Sequence, residues 1–180
     1  MSPHLAAEQR RIAVAGGASL AFCIVVLAAC YLLLPRYFSF PSGLAPSIGF
    51  ALRADLFVVA WVMIASGVVS YARRHSAQDI DAALGGPPSQ PLAVRIAILQ
   101  NTLEQAVISV ATHLALATLI DGGQLALIVG AVILFGVGRV TFAMGYARGA
   151  GGRAFGMVTT VLPSLAGMAW AFYLLVAAIV

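Results

Sequence analysis

Lysine is absent from this chain, and charge of either sign is scarce: 9% of 180 residues are charged, and all ten basic residues are arginine against six acidic ones. With 62% hydrophobic residues and a mean hydropathy of +1.00, that scarcity excludes a soluble globular domain. Cysteine is limited to Cys23 and Cys30. Seven residues apart in one apolar run, they stand about 10 Å apart along a helix axis, too far for a disulfide. Nothing has the form of a nucleotide-binding loop, a Ser-His-Asp arrangement or an internal repeat. His113 has no second His, Cys or carboxylate at ligand spacing, so a hydrogen-bonded packing role and no metal are expected. The net charge of +4 in a soluble chain would suggest nucleic acid. Here the arginines cluster at the ends of apolar segments, where they act as topology signals and anion ligands, and no nucleic-acid partner is expected.

What is present is apolar run after apolar run. Five stretches have the length to cross a hydrocarbon core of about 30 Å as helix: Ile12–Leu34, Asp55–Tyr71, Leu92–Ile120, Gln124–Ala147 and Ala154–Val180. The second is short and has room to begin nearer Ser47, with Arg53 and Asp55 at the interface and paired to each other. Pro35 to Gly43 is expected to break the helix and to place aromatics at headgroup level. Arg73 to Pro91 is the one long polar segment and reads as an exposed loop. Asp121-Gly122-Gly123 alone joins the third and fourth runs, which makes them antiparallel neighbours. Pro163 implies a kink relieved by neighbouring helices. Gly130, Ala131, Gly136 and Gly138 favour close packing of the fourth helix.

Arginine counting sets the expected orientation. Arg10, Arg11, Arg73, Arg74, Arg148 and Arg153, with Arg95 nearby, fall on the side of the N-terminus, against Arg36 and Arg53 opposite. The positive-inside rule puts the N-terminus in the cytoplasm and the C-terminus outside, as in a bacterial inner membrane. Arg10-Arg11, an apolar run and Leu27-Ala28-Ala29-Cys30 also have the form of a lipoprotein signal. The run continues through Tyr31 to Leu34, longer than the core of a cleaved signal, so a retained spanning helix is expected.

Two polar intrusions interrupt the greasy helices: Gln100-Asn101-Thr102-Leu103-Glu104-Gln105, and Arg139 through Phe142, Gly145 and Tyr146 to Arg148. Ionisable groups in a bilayer are expensive and mark functional sites by default. Glu104 lies 17 residues before Asp121 and Arg139 16 residues after Gly123, so the two are expected at one depth, paired. Asn101 and Glu104 share a helix face, as do Arg139, Phe142 and Tyr146. Toward the arginine-rich side, Tyr146, Arg148 and Arg153 are expected to cluster at the start of the last helix. Unpaired backbone N–H groups there favour an anion, and a thiolate would be stabilised. The bland alternative is that these groups only hold helices together or snorkel.

Taken together, Gln100-Asn101-Thr102-Leu103-Glu104, then Arg139-x-x-Phe142-x-x-Gly145-Tyr146-Ala147-Arg148, then Arg153, resemble the MAPEG family: membrane-associated proteins in eicosanoid and glutathione metabolism. The resemblance runs from about Asp55 to the C-terminus. It implies an all-α integral membrane bundle, with a MAPEG-like four-helix domain over residues 53–180 and an additional transmembrane helix over residues 1–35. It further implies a homotrimer with glutathione between adjacent subunits near the cytoplasmic face. Asn101, Glu104 and Arg139 match the family's glutathione-binding positions, Tyr146 its tyrosine after glycine, and Arg153 its thiol-activating arginine. Arg153 and Tyr146 are therefore the expected catalytic pair. The expected activity is glutathione transfer to a hydrophobic electrophile from the lipid, or reduction of a lipid peroxide.

The chain also departs from that pattern. Where the family carries arginines four and often seven residues before the motif asparagine, Ala97 and Val94 stand here. Arg95 is out of phase, on the side away from Glu104, and Phe142 replaces a frequent tyrosine. Arg73 and Arg74 are the expected source of part of the missing charge toward glutathione's carboxylates, and Arg148 is also expected among the glutathione-binding residues. The same departures suit a second expectation, a non-catalytic MAPEG-like scaffold or lipid-binding protein.

Overall fold

A computed structural model describes residues 3–81, 84 and 86–178. The first two residues of the expected 1–35 segment, Ala82, Ala83 and Gly85 of the polar loop and the last two residues of the fifth expected span lie outside them. Among the described residues there are five α-helices: α1 (Pro3–Tyr37), α2 (Leu44–Arg74), α3 (Gln90–Ala117), α4 (Ala126–Gly145) and α5 (Gly149–Ala177). Short 3-10 turns, Gly122–Leu125 and Tyr146–Arg148, precede α4 and α5.

Among the described residues three stretches are long and apolar enough to cross a membrane: His4–Tyr37, Leu44–Arg74 and Gly122–Ala177, the last holding both α4 and α5. Although α3 has 28 residues, about 42 Å of helix, it carries the polar run and falls outside that set.

Two boundaries differ from expectation for local reasons. Helix α1 continues through Pro35 to Tyr37, with the Tyr31 carbonyl left without its helical donor, and the break falls at residues 38–43. Helix α2 begins at Leu44, well before Asp55. Asp55 is no interfacial partner of Arg53. Two residues apart on a helix they diverge by about 200°; Asp55 is buried, with its Oδ1 2.6 Å from His113 Nδ1 on α3. His113 is thus the hydrogen-bonded packing residue that its apolar surroundings suggested.

Helices α4 and α5 fold back on each other through a glycine seam. Gly149, with φ of 81°, turns the chain in a conformation that side chains other than glycine rarely adopt. A methyl group on Gly138 would collide with Thr160 and Gly156, on Gly145 with Gly152, and on Gly156 with Phe142 and Gly138. The backbones therefore touch along the hairpin, and side chains that begin on opposite helices meet.

Helix α1 lies against α5 and α4. Its inward stripe is Ser19, Cys23 and Cys30, and the cysteines are buried free thiols. Ser19 shares a 2.7 Å hydrogen bond with Thr159. Pro163 leaves the Thr159 carbonyl, four residues earlier, without its helical donor. Cys23 Sγ donates to that carbonyl at 3.8 Å, so α1 relieves the proline in α5.

The ends are tied as alternating topology requires. At one end Gly43 N donates to Asp121 Oδ2 at 3.2 Å and Gly122 N to the Pro41 carbonyl at 2.8 Å. At the other, arginine-rich end, Asp79 accepts from Ser89 N at 2.8 Å and Ser89 Oγ at 2.7 Å, while Ser89 caps α3. These bonds, chiefly the backbone one, hold the Asp79 carboxyl below its usual range, helped by Ser76 and by the charge of Arg73. A lowered folded-state pKa adds stability above the ordinary carboxylate value of about 3.9 that is lost as pH falls through the folded value. Asp79→Asn is accordingly expected to speed proteolytic nicking between Ser76 and Ser89 at neutral pH. The wild-type loop should approach the variant's rate only in acid.

Candidate functional site

The buried centre of the bundle is a cation. Arg139, on α4, is 4% exposed. Its Nη1 donates to Asn101 Oδ1 on α3 at 2.8 Å; Nε and Nη2 donate to Thr160 Oγ1 on α5 at 3.2 and 2.7 Å. Thr160 in turn donates to the Gly156 carbonyl at 2.9 Å, which fixes its lone pairs toward the guanidinium. The guanidinium carbon also lies 4.9 Å from the Phe142 ring centroid and 5.6 Å from that of Phe135. Every partner is neutral. Among the described residues the carboxylate contacts are Glu8 with Arg11 and Asp55 with the His113 ring, and Arg139 has none.

The expected Glu104–Arg139 pair is therefore not formed. Glu104 is exposed on the outer face of α3 and accepts a 2.9 Å hydrogen bond from Gln100 Nε2. Arg139 instead reaches Asn101, about one turn from Glu104 along α3, and Glu104 does not share the azimuth of Asn101. Asn101 stands at the edge of the buried face, while Glu104, 60° further round by helical geometry, has turned outward.

From Arg139 a ladder of rings and cations runs toward the arginine-rich end. Phe142 packs edge-on against Tyr146 at 5.5 Å, and the Arg153 guanidinium lies 4.7 Å from the Tyr146 centroid. Asn101, Arg139, Tyr146 and Arg153 are thus brought together as expected. Arg148 is not. Across the 3-10 turn it lines a separate cavity with Arg10 and Arg11 of α1. Arg73 and Arg74 sit exposed in the last turn of α2, apart from the Arg139 ladder within one chain. At the start of α5, Gly151 N donates to Glu8 Oε2 at 2.9 Å, so a carboxylate from α1 already takes one of the backbone donors expected to face a ligand.

Two participants escaped the sequence reading. Thr160 is the acceptor that orients Arg139, and its only advance signal was a hydroxyl one turn from Gly156. Arg95 lies away from Glu104, as its phase required, but that is the Arg139 side: a cavity of about 310 Å3 is lined by Arg95, Thr102 and Arg139 with Trp61, Val68 and Met144. Next to it, sharing Trp61, an apolar cavity of about 560 Å3 lies between α2 and α4.

The MAPEG family model matches residues 53–173. The chain belongs to the MAPEG family. No curated protein and no solved structure matches it. Membership makes this an integral membrane bundle among proteins of glutathione and eicosanoid metabolism. The MAPEG match begins within α2 and ends within α5, so it takes in Asn101, Arg139, Tyr146 and Arg153, while α1 falls outside it.

Proposed function

We propose that the protein is a membrane-bound, glutathione transferase-like enzyme. It binds glutathione at the Arg139 ladder and delivers the thiolate to a hydrophobic electrophile, or reduces a lipid peroxide. The observation that carries this reading is the buried Arg139 cation with only neutral partners. An uncompensated charge in a low-dielectric bundle is costly, and an anionic ligand offsets that cost. A carboxylate of the tripeptide meets Arg139, with Arg95 of the same cavity in support of the positions left empty by Ala97 and Val94. Toward the end of the ladder, Arg153 stabilises the thiolate and Tyr146 holds its orientation. Lowering the thiol pKa from about 8.5 raises the thiolate fraction at neutral pH. The apolar cavity beyond Trp61 is the route by which the electrophile arrives from lipid.

The outward Gln100–Glu104 pair supports a homotrimer. A carboxylate facing hydrocarbon is unfavourable, and a second copy against α3 covers it. In that assembly Glu104, Arg73 and Arg74 act across the subunit boundary. The arginine-rich end is cytoplasmic, in a bacterial inner membrane, with the C-terminus outside. A second reading, a non-catalytic scaffold, is favoured by the contact of Glu8 with Gly151 at the place where a ligand's anion would stand.

Glutathione titration with thermal unfolding separates the two. At a hundred times its dissociation constant a ligand adds about 2.7 kcal/mol, and a clear rise in Tm with electrophile turnover is expected. Arg153→Ala is expected to retain much of the Tm rise and lose turnover. Absence of any shift at millimolar glutathione rejects the ligand, and turnover unaffected by Arg153→Ala rejects the mechanism.

A further inference from the structure

We infer that the arginine-lined cavity between α1 and the α4–α5 turn binds the phosphate headgroup of an anionic phospholipid. The cavity is about 690 Å3 and takes Arg10 and Arg11 from α1 and Arg148 from the turn. Arg11 is already held at 3.1 Å by Glu8, whose other oxygen accepts from Gly151 N. That clamp fixes the wall. A methyl group on Gly151 would stand 2.6 Å from Arg11 Cβ, so α1 meets the start of α5 too closely for any larger residue. Arg10 and Arg148 make no ion pair among the described residues, which leaves two guanidinium groups facing the cavity with donors in the planar fork that suits phosphate.

The rest of the lining distinguishes a lipid from a free anion. Val14, Ala15 and Ala18 continue the same wall of α1. At 1.5 Å per residue they lie roughly 6–12 Å deeper than Arg10 and Arg11. Small apolar side chains at that depth leave a slot for glycerol and the first acyl carbons, a feature that inorganic phosphate or a tripeptide does not need. Two of the three arginines and the whole apolar slot belong to α1, outside the matched family region.

Native mass spectrometry of the full-length protein, titrated with phosphatidylglycerol or phosphatidylcholine, tests the site. Phosphatidylglycerol is expected to be retained preferentially. Arg10→Gln/Arg148→Gln should weaken it about 30-fold, the effect of removing two membrane-surface arginines. Ala18→Phe keeps the cations and fills the slot, and is expected to lose the lipid while still responding to inorganic phosphate. Equal retention of both lipids overturns the inference, as does phosphatidylglycerol binding unchanged in both variants. A free-anion site, with phosphate as effective as lipid and Ala18→Phe neutral, overturns it too. So does a glutathione-induced Tm rise that vanishes in Arg10→Gln/Arg148→Gln, which assigns the pocket to the tripeptide.

Discussion

Arg139→Met is expected to lower glutathione affinity and turnover by at least roughly 100-fold, since a charge-assisted hydrogen bond to a buried cation is worth about 1.5–3 kcal/mol and a bidentate contact has two. Its effect on the fold is expected to be small. Removing a buried cation also removes its desolvation cost, and apolar replacements of similar volume are often neutral or stabilising. Thr160 keeps its bond to the Gly156 carbonyl, so Asn101 alone is left without its partner, and Asn101 is only half-buried. Arg139→Met/Asn101→Leu should recover whatever stability the single change loses and recover no activity. A scaffold gives the opposite pattern: Arg139→Met then lowers Tm sharply or dissociates the oligomer, and glutathione has no effect on either protein. Measuring Tm, subunit stoichiometry and turnover on the same preparations decides between them.

Gly156→Ala is expected to be, with Gly145→Ala, among the most damaging single-methyl changes in the α4–α5 hairpin. Its new carbon meets backbone, the Phe142 nitrogen and the Gly138 carbonyl, where no rotamer change gives relief. Overpacking of this kind costs about 1–3 kcal/mol and sometimes more. The functional loss should exceed the loss of stability, because parting α4 from α5 moves Thr160 from Arg139 and Arg153 from Tyr146 together. Heat unfolding alongside kcat/KM measures both. Loss of activity no greater than the loss of folded protein would show that the ladder tolerates a wider hairpin.

Much of the fold is legible in the sequence because membrane helices are written as apolar runs, and all five runs are helices. The polar exceptions were harder to place. Arg53 and Asp55 marked a false start for α2, since a charge beside an apolar run resembles an interface until its partner, His113, is found 58 residues away. Pro35 resembles a break, yet the loss of one backbone donor there does not end α1. At the site, residue counting puts Glu104 and Arg139 at one level, but level says nothing about direction around the axis, and Arg139 meets Asn101 instead. Asn101 and Glu104, like Arg95 and Ala97, stand within about one turn of each other and differ chiefly in that angle. Thr160 had no motif to announce it; its role follows from a backbone approach that two glycines permit.

The contacts of α1 set the order in which the chain can be assembled. Ser19 pairs with Thr159, Glu8 with Gly151 and Cys23 with the Thr159 carbonyl, over separations of 140, 143 and 136 residues. At roughly 5–20 residues per second, the ribosome needs on the order of 7–30 s to supply that much chain. Helix α1 leaves the ribosome before the α4–α5 hairpin and therefore waits in the bilayer for it. Its polar residues are suited to the delay: Ser19 can bond to the carbonyl four residues back in its own helix, and thiols are tolerated in lipid. Helices α2 and α3, neighbours in sequence and in space, have no such wait. The polar ties of α1 thus form only after α5 is made, and a protein stalled before α5 emerges holds α1 without them, by its packing on α4.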